Sequence, residues 1–190
     1  STTQLGQGNS VYCIATQNGC NSNWSNVIAT FVKPTPLVIL SVPNQTICQG
    51  DPVTITASPT GLDYYNFTVN GTSVQNSPGN TYSSSAFNNN DAIVATGGLN
   101  GCVSQPSSSI VMTVHPIPSI ALSTSAANDS VCQGVPVTFT AAPTGYGTYT
   151  FFNNGTQLQS GASNAYTTST LVSPNSLTAQ ATNLGCTSPL

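Results

Sequence analysis

Charge is nearly absent from this chain. It has no Arg and no Glu, one Lys (Lys33), four acids (Asp51, Asp63, Asp91, Asp129) and one His, so charged residues make up 3% of the total. An ordinary soluble domain carries about 25%, and the shortfall excludes whole classes of function. Nucleic-acid binding needs several phosphates neutralised by Lys or Arg, which one lysine and a net charge of −3 do not supply. A catalytic constellation that recurs from unit to unit is excluded as well, because Asp63 aligns with Gly147 and Asp91 with Asn175. Ser and Thr are plentiful but lack an activating base. No catalytic residue, no cofactor and no enzyme activity is expected.

Other absences narrow the reading further. No run approaches the roughly 18 apolar residues of a membrane helix, so no membrane insertion is expected. The first residues lack the basic and apolar regions of a signal peptide; in an exported protein that signal has been removed or lies upstream. There is no Cys-x-x-Cys, and each repeat offers two cysteines where structural zinc takes four ligands. Calcium sites at rod junctions need several carboxylates, and the junctions here have none nearby. Lys33 has no counterpart in the other repeats, which removes a recurring lysine cross-link. No metal is expected.

What the chain does have is an internal repeat. Cys48-Gln49-Gly50 recurs as Cys132-Gln133-Gly134, and 54 residues after each comes a Gly-Cys pair, at Cys102 and Cys186. Both cysteines recur at an offset of 84, and Asn18-Gly19-Cys20 lies 82 residues before Cys102. Residues 51–61 match 135–145, Asn70-Gly71-Thr72 matches Asn154-Gly155-Thr156, and Tyr65, Phe67 and Tyr82 fall on Tyr149, Phe151 and Tyr166. Residues 28–36 resemble 110–118. Three parts follow: 1–34 as the C-terminal strands of a partial repeat, 35–115 as a complete repeat, and 116–190 as a repeat lacking its last strand.

Period-two alternation bounded by Gly, Pro, Asn and Ser predicts strands over 37–42, 52–58, 64–70, 81–87, 91–96 and 107–114. In Val53-Thr54-Ile55-Thr56-Ala57 the apolar residues share one face and the threonines the other. The fold expected is all-β, with tandem immunoglobulin-like β-sandwich repeats arranged head to tail. Pro34-Thr35-Pro36 and Pro116-Ile117-Pro118 join the units by semi-rigid backbone. An apolar edge left open in 116–190 is an aggregation site; either the polypeptide continues past residue 190 or a neighbouring subunit donates the strand.

Six cysteines at repeating positions point to disulfides and an oxidising compartment. Spacing pairs Cys48 with Cys102 and Cys132 with Cys186, tying strand ends within each repeat. Closing a loop of that length removes unfolded-state entropy worth roughly 4 kcal/mol. For Cys13 and Cys20 two readings stand: a bridge across one short hairpin, or Cys20 bonded to a Cys-x-Gly cysteine upstream, leaving Cys13 free.

Exposed aromatics supply a rival reading. Trp24, Tyr64, Tyr65, Tyr146 and Tyr149 could line a sugar-stacking platform, although Tyr65 and Tyr149 alternate as core residues do. Trp24 corresponds to Pro106, which marks it as a local surface or interface residue.

Cys-x-Gly before Val-Thr-Ile-Thr-Ala, an aromatic strand leading to Asn-Gly-Thr, then Ala-Thr-x-x-x-x-Gly-Cys and a final Ile-x-Met-Thr-Val together resemble the immunoglobulin-like repeats of very large secreted surface proteins of Bacteroidota, many associated with type IX secretion. The resemblance covers nearly the whole chain. It implies an extracellular, non-catalytic structural or adhesive protein: a stalk, surface fibre or filament. Its partners would be neighbouring copies of itself, adjacent repeats of a longer chain, or surface glycans. It also implies O-glycosylation at Asp-Ser/Thr-apolar, matched by Asp129-Ser130-Val131, with Ser130 as acceptor; a plain turn before a strand is the competing reading. Asn-x-Ser/Thr sites at Asn23, Asn44, Asn66, Asn70, Asn128 and Asn154 are what a chain rich in Asn, Ser and Thr yields by chance.

Overall fold

The computed structural model describes residues 4–190, and among them there are many short strands and no α-helix. First come β1 (Ser10–Val11), β2 (Thr16–Gln17), β3 (Cys20–Asn21) and β4 (Ile28–Ala29). Next are β5 (Ile39–Ser41), β6 (Thr46–Cys48), β7 (Val53–Ser58), β8 (Tyr64–Val69), β9 (Thr72–Ser77), β10 (Thr81–Ser84), β11 (Ala92–Leu99), β12 (Cys102–Val103), β13 (Ile110–Val111) and β14 (Thr113–His115). The last part holds β15 (Ala121–Thr124), a 3-10 turn over Ala127–Asp129, β16 (Val137–Ala142), β17 (Thr148–Asn153), β18 (Thr156–Gly161), β19 (Ala165–Thr168), β20 (Leu177–Asn183) and β21 (Cys186–Thr187).

Sheet order explains the chain's punctuation. One sheet runs β10-β7-β5 and another β12-β11-β8-β9 with β13 on β11, while β6 lies parallel to β14. The later strands repeat the plan as β15-β16-β19 and β18-β17-β20-β21. This division into two antiparallel sheets is that of immunoglobulin-like sandwiches. At Asn70-Gly71 and Asn154-Gly155 both residues have positive φ, the conformation of a two-residue hairpin loop that Asn and Gly adopt at least cost. The same register shift recurs after Phe67 in β8 and after Phe151 in β17.

Contacts divide the chain into two compact units. The first comprises the residues up to Ser41, Ile55–Tyr82 and Ile93–Ile110. Its core holds Val38, Ile55, Ala57, Leu62, Tyr65, Phe67, Ile93, Ala95 and Ile110, all buried, so the alternation on β7, β8 and β11 is the burial pattern itself. The second comprises Val42–Thr54, Ser83–Ala92 and Val111–Leu190. There Ala141, Tyr149, Phe151, Ala179 and Ala181 form one cluster, with Leu122, Phe139 and Tyr166 packed against it, so both sheets contribute to the core. Phe67 meets Tyr82 at 6.0 Å between ring centroids and Phe151 meets Tyr166 at 5.9 Å, the same tilted pair in both repeats.

Three sets of strands escape the alternation rule. Thr72–Ser77 and Thr156–Gly161 are polar and mostly exposed, with no apolar stripe to reveal them. Thr46–Cys48 is short and buries one side chain, Ile47. The short hairpin strands at each Gly-Cys pair are set by the turn rather than by any apolar period.

Candidate functional site

The chemistry-bearing residues of this chain are its cysteines, and turns place them. Each Gly-Cys pair closes a hairpin: β2–β3 around Asn18-Gly19, β11–β12 around Asn100-Gly101 and β20–β21 around Leu184-Gly185. All six loop residues have positive φ. Two residues after each cysteine comes a serine, and its hydroxyl accepts the N–H of the facing strand. Ser22 Oγ takes Ala15 N–H at 3.0 Å, Ser104 Oγ takes Gly97 N–H at 2.9 Å, and Ser188 Oγ takes Ala181 N–H at 3.0 Å. The serine N–H returns the bond to the same residue's carbonyl, at 2.8 Å in each copy.

Each Cys-Gln-Gly is also a turn. Asp51 N–H donates to the Cys48 carbonyl at 3.0 Å, and Val135 N–H donates to the Cys132 carbonyl at 3.1 Å, with Gly50 and Gly134 at positive φ. Asp51 adds a second lock, its carboxylate accepting Cys48 N–H at 3.0 Å.

The bridge observed is Cys48–Cys186, with Cα atoms 5.6 Å apart and a sequence separation of 138. This corrects the pairing expected from spacing, Cys48 with Cys102 and Cys132 with Cys186. The cause is β6, which the alternation did not predict. It lies parallel to β14 and puts Cys48 in register with His115, three residues past Met112, whose N–H bonds the Asp91 carbonyl before β11 begins. Cys102 follows the opposite end of that eight-residue strand. The sulfur beside His115 is instead that of Cys186, 3.9 Å from the His115 carbonyl oxygen.

Cys13, Cys20, Cys102 and Cys132 carry free thiols. A Cys13–Cys20 bridge across the hairpin is also corrected by register. Cys20 faces Gln17, whereas Cys13 exchanges backbone and side-chain bonds with Ser25. Four residues along a strand is about 13 Å, beyond the reach of a disulfide.

The aromatics separate into two groups. Tyr65 and Tyr149 are each 1% exposed, and their hydroxyls are occupied within the loops they support. Tyr149 Oη donates to the Pro143 carbonyl at 2.8 Å and accepts Tyr146 N–H at 3.1 Å; Tyr65 does the same with Pro59 and Leu62. Tyr64 lies over Gly98, and Tyr146 packs against the second core. Trp24 is 63% exposed and stacks on Tyr12 with centroids 4.1 Å apart. Ser130 is exposed and follows the 3-10 turn, its N–H bonded to the Ala127 carbonyl at 3.2 Å.

Two open clefts lie in the second unit. One, of about 470 Å³, is lined in part by Ser130, Val131, Val137 and Phe139. The other, of about 480 Å³, runs beside Ile120, Leu177, Ala179 and Leu190. Among the described residues no three or more of His, Cys, Asp or Glu gather in a group suited to a metal. No helix among them is long and apolar enough to cross a membrane.

Sheet order and a two-sheet core thus define an all-β protein of immunoglobulin-like sandwich architecture carrying one disulfide. Among solved structures, the chain is similar to the fibronectin(III)-like modules of Clostridium thermocellum CbhA, at 15% identity and TM-score 0.46, over 79% of this chain and 89% of that one. It is also similar to chicken CNTN1 FN1-FN3 domains, at 13% identity and TM-score 0.41, over 94% and 73%. A third is the human OSCAR ligand-binding domain, at 15% identity and TM-score 0.38, over 83% and 96%. No family model and no curated protein matches the sequence.

Proposed function

We propose that this chain is part of a non-catalytic, extracellular structural or adhesive array of immunoglobulin-like repeats, with units at 1–34, 35–115 and 116–190, of the kind the resemblance to Bacteroidota surface proteins implies. The observation that carries the reading is the bridge from Cys48 in one repeat to Cys186 in the next. Both cysteines lie in the second compact unit, so this covalent tie between segments far apart in sequence keeps that unit closed under load, and it persists in an oxidising compartment. A surface with almost no charge keeps lateral contacts insensitive to salt. Partners are neighbouring copies or further repeats, one of which supplies a strand beside β20, where the apolar cleft lies open. Ser130, exposed in its turn, is available for O-glycosylation.

A second reading rests on Trp24. Its stack on Tyr12 leaves an outer ring face open to a sugar, whereas Tyr65 and Tyr149 are consumed by the core.

Protease shaving of intact cells tests the first reading. Peptides from this chain are expected in the shaved fraction with the Cys48–Cys186 link intact; a cytoplasmic protein with reduced cysteines would overturn it. On a glycan array the 190-residue chain is expected to give no signal. Binding abolished by Trp24→Ala would move the conclusion to the carbohydrate module.

A further inference from the structure

Cys186 owes its bridge to a seat: β6 brings Cys48 opposite His115, and the β20–β21 hairpin brings Cys186 within 3.9 Å of the His115 carbonyl oxygen. An equivalent seat exists in the first unit. Cys102 lies 4.0 Å from the carbonyl oxygen of Lys33, the residue that falls on His115 in the repeat alignment. The seat is held in place from two sides. Lys33 Nζ donates to the Asn100 carbonyl at 2.8 Å, which ties the linker to the hairpin loop, and Asn100 N–H donates to Asp63 Oδ2 at 2.7 Å. The two hairpins share their positive-φ loop and serine lock. They differ at the sulfur: Cys186 is 1% exposed under Cys48, and Cys102 is half-buried with a free thiol.

Cys132 has the complementary form. Its turn closes through Val135 N–H as the Cys48 turn closes through Asp51 N–H, and its thiol is free and exposed. In the alignment Cys132 falls on Cys48, and Cys102 on Cys186.

We propose that Cys102 and Cys132 are the two open halves of further clasps of the Cys48–Cys186 kind. Bridges then run in a stagger, from each Cys-Gln-Gly turn to the Gly-Cys hairpin of the repeat that follows, and never within a repeat. The inference rests on the repeat-array reading above. The partner of Cys102 is a Cys-Gln-Gly cysteine seated beside Lys33, carried either by a further repeat of the same polypeptide or by a second copy of this chain. Closing the bond joins two sulfurs, releases two protons and passes two electrons to a disulfide oxidant such as oxidised glutathione, which leaves as two thiols.

The test uses the 190-residue chain with Cys13→Ser and Cys20→Ser, in two versions: one adds Cys102→Ser and leaves Cys132 reactive, the other adds Cys132→Ser and leaves Cys102 reactive. Mixed in a glutathione redox buffer, they are expected to form the Cys102–Cys132 heterodimer in roughly tenfold excess over either homodimer, the preference that a seat worth one decade in equilibrium constant gives. Statistical proportions would overturn the proposal. Peptide mapping of the unsubstituted native protein is the second measurement. Cys102 joined to the Val131–Gly134 peptide in a covalent dimer identifies a second copy as the source, and Cys102 joined to a different Cys-Gln-Gly peptide identifies a further repeat; either supports the stagger, whereas the same Cys102–Cys132 link in a monomer refutes it. Bridges Cys48–Cys102 and Cys132–Cys186, or a free Cys102, refute it. Because these bonds are mapped chemically, their failure is distinct from a failure of the surface location, which protease shaving reads.

Discussion

Tyr64 and Gly98 face each other in register on β8 and β11, and a Cβ built on Gly98 would fall 2.1 Å from the Tyr64 ring. At the matching place in the next repeat stand two mid-sized residues, Thr148 facing Thr182. One large and one absent side chain fill the space that two threonines fill elsewhere, so the two positions form a coupled pair. Gly98→Thr alone is expected to cost about 1–3 kcal/mol in urea unfolding by driving the ring off its seat. Adding Tyr64→Thr should return most of that loss, and two effects that merely add would refute the coupling. Tyr65 and Tyr149 were legible as core residues because their strands alternate. The sequence does not reveal why a phenol is tolerated there: each hydroxyl meets a carbonyl in its own preceding loop, which removes the cost of burying it.

At the scale of elements, the Gly-Cys hairpin is the unit to perturb. Ser188 is buried, its hydroxyl accepting Ala181 N–H and donating to the Pro189 carbonyl. Ser188→Ala strands that buried N–H, which costs about 1–3 kcal/mol. The expected result is a lower urea midpoint with unchanged slope, together with faster reduction of Cys48–Cys186 by dithiothreitol. An unchanged reduction rate would mean that the hairpin does not set the position of the sulfur. The strands that alternation predicted, such as β7, β8 and β11, are those with a buried face. β9 and β18 were invisible because both of their faces are largely exposed, and β6 because three residues are too few to show a period.

At the scale of the whole molecule, one covalent bond closes most of the chain. A loop of 138 residues loses unfolded-state entropy worth about 5 kcal/mol in the chain-entropy model. Cys48→Ser is expected to remove a large part of this from the second unit and to leave Cys186 free to react with iodoacetamide, which peptide mapping reads directly. Under a stretching force the intact bridge should hide a contour length of roughly 480 Å at 3.5 Å per residue, released at once by reductant. Equal extension before and after reduction would mean that the bond does not bear load.

The sequence by itself determined that this protein is all-β, repetitive, nearly uncharged and rich in cysteine at fixed turns, because alternation, turn residues and spacing are local quantities. The partner of Cys48 was decided by the tertiary structure alone. Spacing along the chain favours the nearer Gly-Cys, but a disulfide forms only where two sulfurs are brought within bonding distance. That proximity depends on the parallel pairing of β6 with β14, a contact between segments 67 residues apart whose side chains carry no periodic mark of it.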